Sequence, residues 1–254
     1  MQDANGYSIL ITGGGSGLGA GIAQYMADKG ARVTISGRTA AKLEKVAADI
    51  GTSCAICVGD VANTDDRRRM IDIAVAHGAG LQGLANVAGN MLRGPITDLD
   101  PEKILDLMNT NVVAGMALTG LATPYLEKQG GAVLFIGSVH TRRAFPGASP
   151  YAATKGAVET LSQVLAAELG PKGIRVNCLL PGAVPTEINV RAGIARNAQE
   201  NFARLQSMTP EHPLGRIGTP QDIAEAADYL MRAGWTTGTS IVVDGGLALG
   251  VTNK

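Results

Sequence analysis

The chain has 254 residues, 45% hydrophobic and 17% charged, which is ample apolar material for a sizeable core and a length that fits one domain or two. Its 22 basic and 22 acidic side chains cancel, so no net field recommends nucleic acid or an anionic membrane, and small soluble ligands are the default partners. The first residues carry neither a basic region nor an apolar stretch of signal-peptide length, and no later run reads as the roughly 20 apolar residues that span a bilayer, so a cytoplasmic protein is expected.

Short β-branched runs alternate with longer helical patterns along the whole chain. The first strand is expected over 7–12, and the run Thr-Gly-Gly-Gly-Ser-Gly-Leu-Gly over 12–19 follows it directly, opening a helix over 18–29. In that setting glycines let the backbone approach a pyrophosphate, while the helix N-terminus offers free N–H groups and positive dipole. Gly13, Gly17 and Gly19 are not spaced as GxGxxG, so the strand and helix around them carry the reading.

A strand over 32–36, a helix over 40–50 and a strand over 53–58 come next. The third strand holds Cys54 and Cys57, a CxxC whose members point to opposite faces of a strand, and Cys178 makes the count odd. Buried thiols are therefore expected rather than a redox pair or a metal site. Asp60 and Val61 follow that strand, then a helix over 65–77, a strand over 83–87 with Asn-Val-Ala-Gly at 86–89, and one long helix over 101–126. A strand over 132–136 leads to Ser138, and a helix over 151–169 opens on Tyr-Ala-Ala-Thr-Lys.

Tyr151 and Lys155, four residues apart, share a helix face, and a neighbouring ammonium is expected to pull the phenol below its usual value of about 10. Strands over 174–180 and 240–243 and a helix over 220–232 complete the pattern, while 184–219, polar and without a strand, suits a flap over a site. Alternation of strands apolar on both faces with helices predicts a doubly wound α/β parallel sheet of about seven strands, helices on both faces.

Taken in order, the glycine run over 12–19, Asp60-Val61, Asn-Val-Ala-Gly over 86–89, Asn111, Ser138, Tyr151 with Lys155, Pro181-Gly182, Thr186 and Asp244-Gly-Gly resemble the short-chain dehydrogenase/reductase family over nearly the whole chain. The resemblance implies a single-domain Rossmann-like fold over 1–254, a nicotinamide cofactor, a small carbonyl or alcohol substrate and a homotetramer with central helices between subunits. Gly13, Gly15, Ser16, Gly17, Leu18, Gly19, Asp60, Val61, Asn86, Ala88, Gly89, Pro181, Gly182, Val184 and Thr186 would line the cofactor, together with Tyr151 and Lys155. The chain departs from the family at Val87, where a second asparagine is common.

Where NAD-binding members place a carboxylate, this chain has Gly37 followed by Arg38, whose guanidinium suits a 2'-phosphate; NADP is expected, NAD remaining open. The implied mechanism is hydride transfer to or from a carbonyl carbon, Tyr151 moving the proton, Ser138 holding the substrate oxygen, Lys155 holding the ribose, and Asn111 anchoring a water relay.

Asn90, Met91, Arg93, Val139, His140, Phe145, Val184 and the flap over 188–208 are the candidate substrate pocket, with His140 a substrate contact beside Ser138 and Tyr151. Arg93, Arg142 and Arg143 are candidates for attracting an anion, though loop arginines commonly face solvent. The alternatives are a cofactor-sensing or scaffolding protein of the same fold, which would be expected to lose part of the Ser, Tyr, Lys set, and an epimerase, whose relatives carry a larger C-terminal region.

Overall fold

The computed structural model describes residues 1–251. Among them, seven parallel strands form one sheet: β1 (Ser8–Thr12), β2 (Arg32–Gly37), β3 (Cys54–Val58), β4 (Gly83–Asn86), β5 (Ala132–Ile136), β6 (Arg175–Pro181) and β7 (Ser240–Val243). Their spatial order is β3-β2-β1-β4-β5-β6-β7, so the winding reverses between β1 and β4. In such sheets a crevice opens beyond the carboxyl ends of the strands at that reversal.

Side-chain alternation along the strands divides the core. Ile9 and Ile11 face one layer with α1 (Gly17–Asp28), α2 (Ala40–Ile50) and, through Ile223, Ala227 and Met231, a helix introduced below. Leu10 and Leu84 face the other, against Met70 and Ile71 of α3 (Thr64–Gly78). Cys54 and Cys57 fall into opposite clusters, as period two demands, and burial pushes the Cys54 thiol up to about 11, far from a reactive thiolate.

The helix expected over 101–126 is not continuous. It runs as α4 (Pro101–Met108), one π turn over Asn109–Val113 and α5 (Ala114–Gln129). The extra residue in that turn leaves Asn111 facing inward, where its side chain is fully bonded. This 29-residue rod is also apolar and long enough to cross a bilayer, which the sequence reading did not anticipate, but 39% of its most apolar window is buried in the protein. Its inner side packs on the sheet through Leu118, Ala122 and Leu126, while Leu105, Val113 and Met116 stay exposed.

Beyond β5 come α6 (Ser149–Leu169), two flap helices, α7 (Ile188–Arg191) and α8 (Ala198–Gln206), and α9 (Pro220–Arg232). α9 starts from a capping box in which Thr219 and Asp222 exchange hydrogen bonds. Leu205 and Ile217 of the flap pack in a small separate core with Val139, Ala183 and Leu247 of the body, and the flap is stitched by Asn201, which donates to the Thr186 carbonyl at 2.8 Å and accepts from Asn189 at 2.8 Å.

Candidate active site

A cavity of about 310 Å³ opens over the carboxyl ends of the strands, where the winding reversal puts it. At one end is the glycine turn. A Cβ on Gly19 would stand 2.3 Å from the Gly13 carbonyl oxygen, and one on Gly14 would stand 2.5 Å from Ile35 Cβ, so the turn needs glycine to fold back on β2 and α1. Gly17 adopts φ +55 and carries the start of the flap, since a Cβ there would meet Thr186 Cβ at 3.1 Å. Ser16 caps α1 without a side-chain bond to its amides.

Thr12, the last residue of β1, fastens the neighbouring loop: its hydroxyl accepts from the Val87 and Ala88 amides, both at 3.0 Å. That bond draws Ala88 and Gly89 to the cavity wall. Gly182 is pressed against Asp244, since a Cβ there would stand 2.6 Å from Asp244 Cα, which brings the Pro-Gly and Asp-Gly-Gly segments into contact.

Gly13, Gly15, Ser16, Gly17, Leu18, Gly19, Arg38, Asp60, Val61, Ala88, Gly89, Pro181, Gly182, Val184 and Thr186 all line this cavity, as does His140 with Ser138, Tyr151 and Lys155. Asn86 does not. Its amide turns away from the cleft and donates to Thr119 Oγ1 on α5 at 3.3 Å, so its part is to join β4 to that helix. Asp60 spends one oxygen on turn chemistry, accepting from the Ala62 amide at 2.9 Å, while the other lies 3.9 Å from Arg38.

The far end of the cavity holds the chemistry. Ser138, at the end of β5, and Tyr151 and Lys155, one turn apart on α6, are each less than a tenth exposed. Lys155 Nζ donates to the Ile136 carbonyl at 2.7 Å and sits 5.5 Å from the Tyr151 ring centre. Burial pulls the lysine down to about 8. Here the structure departs from expectation: the phenol is not acidified but pushed up to about 12, because burial outweighs the hydrogen bond from Ser138 and the ammonium is turned toward a carbonyl.

His140 Nδ1 lies 3.0 Å from Ser138 Oγ, and its ring stacks at 4.4 Å on Phe145 and meets Tyr151 edge-on at 5.1 Å. Burial, with Arg93 and Lys155 adding positive charge nearby, drops it to about 4, so the imidazole is neutral at physiological pH. Behind Lys155, Asn111 accepts from the Asn90 amide at 2.8 Å and donates to the Asn90 carbonyl and Thr154 Oγ1, each at 3.0 Å. A pocket of about 10 Å³, the room one water needs, lies among Thr12, Asn111 and Lys155.

Sequence reasoning missed Lys42 and Glu187, which form a 2.5 Å ion pair beside the glycine turn. Arg191, which donates to the Gly89 carbonyl at 3.3 Å, and Arg204 on α8 fall within the 188–208 stretch expected at the pocket, but the sequence did not single them out. The one available signal was position in the strandless stretch, for all but Lys42.

Comparison with known proteins places the chain. The family model described as enoyl-(acyl carrier protein) reductase matches residues 13–248. The chain is 33% identical over 254 residues to the L-fucose dehydrogenase of Bos taurus, covering 98% of this chain and 92% of that one. It is 33% identical over 246 residues to dehydrogenase/reductase SDR family member 4 of Sus scrofa, covering 94% and 86%. Among solved structures, the 3-ketoacyl-(acyl-carrier-protein) reductase of Brucella melitensis, complexed with NADH, superposes with a TM-score of 0.86 at 29% identity, over 96% of this chain and 99% of that one. These relatives differ in substrate and agree in lineage: the chain belongs to the short-chain dehydrogenase/reductase family of oxidoreductases.

Proposed function

We propose that this protein interconverts an alcohol and a ketone or aldehyde by hydride transfer, with Tyr151 as general acid and base and NADP(H) as the preferred cofactor. The observation that carries the reading is one cavity that joins a glycine cradle to a buried Ser138, Tyr151 and Lys155. The cradle fits a dinucleotide: its glycines leave bare backbone at an uncapped helix N-terminus, and the related Brucella reductase was solved with NADH. Residues 1–254 act as one unit with 184–219 as its flap, and the three free cysteines, two buried and Cys54 half-buried, suit a cytoplasmic setting.

The cofactor, when bound, supplies or takes up the hydride. Tyr151 stays protonated at neutral pH and is the acid for reduction; an alkoxide resembles hydroxide, whose conjugate acid has a pKa of about 15.7, so even a phenol at about 12 gives up its proton downhill. Ser138 holds the same oxygen. A neutral His140 can donate Nδ1–H to Ser138, which frees the serine hydroxyl to donate to substrate. Lys155 holds the ribose, and the small pocket it shares with Asn111 accommodates a water that returns a proton to the site.

Preference for NADP(H) rests on Arg38, which lines the cavity next to Gly37 with no carboxylate at that strand end. Lys42 is already committed to Glu187. With a panel of carbonyl compounds, kcat/KM for NADPH should exceed that for NADH by about tenfold or more, and Arg38→Gln should remove that advantage. A strong NADH preference in the wild type would refute the cofactor assignment alone. Product formed without net redox change would point to an epimerase, and binding without turnover to a sensor.

We also propose a homotetramer, on the support of Leu105, Val113 and Met116 along the long rod, Val164 on α6, and a fully exposed Trp235 before β7. Light scattering should give four times the 26.0 kDa chain mass, and a monomer at micromolar concentration would overturn this.

A further inference from the structure

Three arginines stood out in the sequence as candidates to attract an anion, and the structure separates them. Arg142 is spent on Glu159, with Nη1 at 3.1 Å from one of its oxygens, and Arg143 is spent on Glu211 at 2.6 Å and the Leu247 carbonyl at 3.1 Å. Arg93 has no such partner. Its one recorded side-chain bond goes to the Pro146 carbonyl at 2.8 Å, and among the described residues no carboxylate lies within ion-pair distance. Arg204, reaching the same cavity from α8 of the flap, is equally without a carboxylate.

The two line the same cavity, and burial, with the Arg204 charge as a lesser cause, holds Arg93 below the ordinary arginine range. The acidic residues that line this cavity, Asp60 and Glu187, are taken by Arg38 and by Lys42 with Arg191. Two unpaired guanidiniums in one cleft repel each other, and an oxyanion between them would turn that repulsion into forked, charge-assisted hydrogen bonds. Position ties the pair to the reaction centre: both line the cavity that holds Ser138, Tyr151 and His140, whose ring meets Tyr151 at 5.1 Å. Met91, Phe145 and Met208 supply apolar wall in the same cavity.

We infer that Arg93 and Arg204 form an anion subsite of the substrate pocket, so that the substrate is a ketone or alcohol carrying a carboxylate or phosphate. This rests on the oxidoreductase reading above. The guanidiniums bind and orient; neither takes part in proton or hydride transfer. The flap origin of Arg204 adds a consequence: an anionic substrate would draw α8 toward the loop after β4 and close the cleft from its open side.

The test compares two matched pairs with NADPH, levulinate against methyl levulinate and dihydroxyacetone phosphate against dihydroxyacetone, in wild type, Arg93→Met and Arg204→Met. In at least one pair the charged member should have a kcat/KM roughly 30-fold or more above its neutral partner, and each variant should bring that ratio toward one. Which pair responds tells carboxylate from phosphate. Equal or better use of both neutral members, or a ratio that survives in both variants, overturns the subsite. Because Arg93→Met also removes the Pro146 bond, the exposed Arg204→Met decides if the first fails to fold. Should neither NADPH nor NADH be oxidised by these compounds or by the wider carbonyl panel, the reductase reading falls, and calorimetric titration of the two anions still judges the subsite: binding that Arg204→Met abolishes sustains it, and no binding of either anion removes it.

Discussion

Tyr151→Phe should lower kcat for carbonyl reduction by about 10²–10⁴-fold while the dinucleotide binds close to its wild-type affinity. The phenol is the acid best placed for the reacting oxygen: it is buried, on the cavity floor, and hydrogen-bonded with Ser138. The neighbouring candidates are disqualified by their state. His140 has fallen to about 4 and carries no spare proton at neutral pH, and the Lys155 ammonium is turned to the Ile136 carbonyl at 2.7 Å. Removal of one hydroxyl leaves the ring, its edge contact with His140 and the α6 backbone in place, so folding should change by about 1 kcal/mol or less. Single-turnover NADPH oxidation and a fluorescence titration of NADPH separate the two effects. A variant that keeps more than a tenth of wild-type kcat would remove Tyr151 from the mechanism, whatever its affinity.

The central strands were readable because they are buried on both sides, which leaves a short apolar run bounded by turn residues, and 132–136 matches the fully buried β5; the half-buried β7 over 240–243 was read from its β-branched run instead. The π turn was not, since apolar spacing continues through 109–113 and the reason for the extra residue is Asn90 and Thr154, far away in sequence. The Tyr and Lys spacing announced which side chains would meet, but not their charge states. Those depend on how deeply β5, β6 and α6 bury them, which no local pattern carries. Partners distant in sequence were invisible for the same reason: Lys42 and Glu187 are 145 residues apart, and only the fold shows that Arg142 has a carboxylate while Arg93 has none. The direction of the Asn86 side chain was not legible, because a strand end beside a cleft offers it two, and Thr119 takes it.

Gly19→Ala should weaken dinucleotide binding by about 5- to 150-fold, the equivalent of the 1–3 kcal/mol that overpacking typically costs, and lower Tm by several degrees. The added methyl would sit 2.3 Å from the Gly13 carbonyl oxygen and 2.8 Å from its carbon, and these are backbone atoms that cannot swing aside as a side-chain tip would. Nor can the turn retreat. Gly13 already lies where a Cβ would be 3.0 Å from Ala88 Cα, and Gly14 where one would be 2.5 Å from Ile35 Cβ, so β2 and the loop after β4 close off both directions. Relief must come from lifting the Gly13–Gly14 segment into the cradle or tilting α1 away from β1, and either movement spoils the surface that a pyrophosphate needs. Gly170→Ala is the matched control, since Gly170 follows α6 in a helical conformation, exposed and with nothing within 4 Å, and there alanine should stabilise by about 0.5–1 kcal/mol through backbone entropy. Calorimetric titration of NADPH and thermal melts on the two variants read the outcome. If Gly19→Ala binds as the wild type does, the first turn is a packing device only, and the dinucleotide must be held by the flap and the loop after β4 instead.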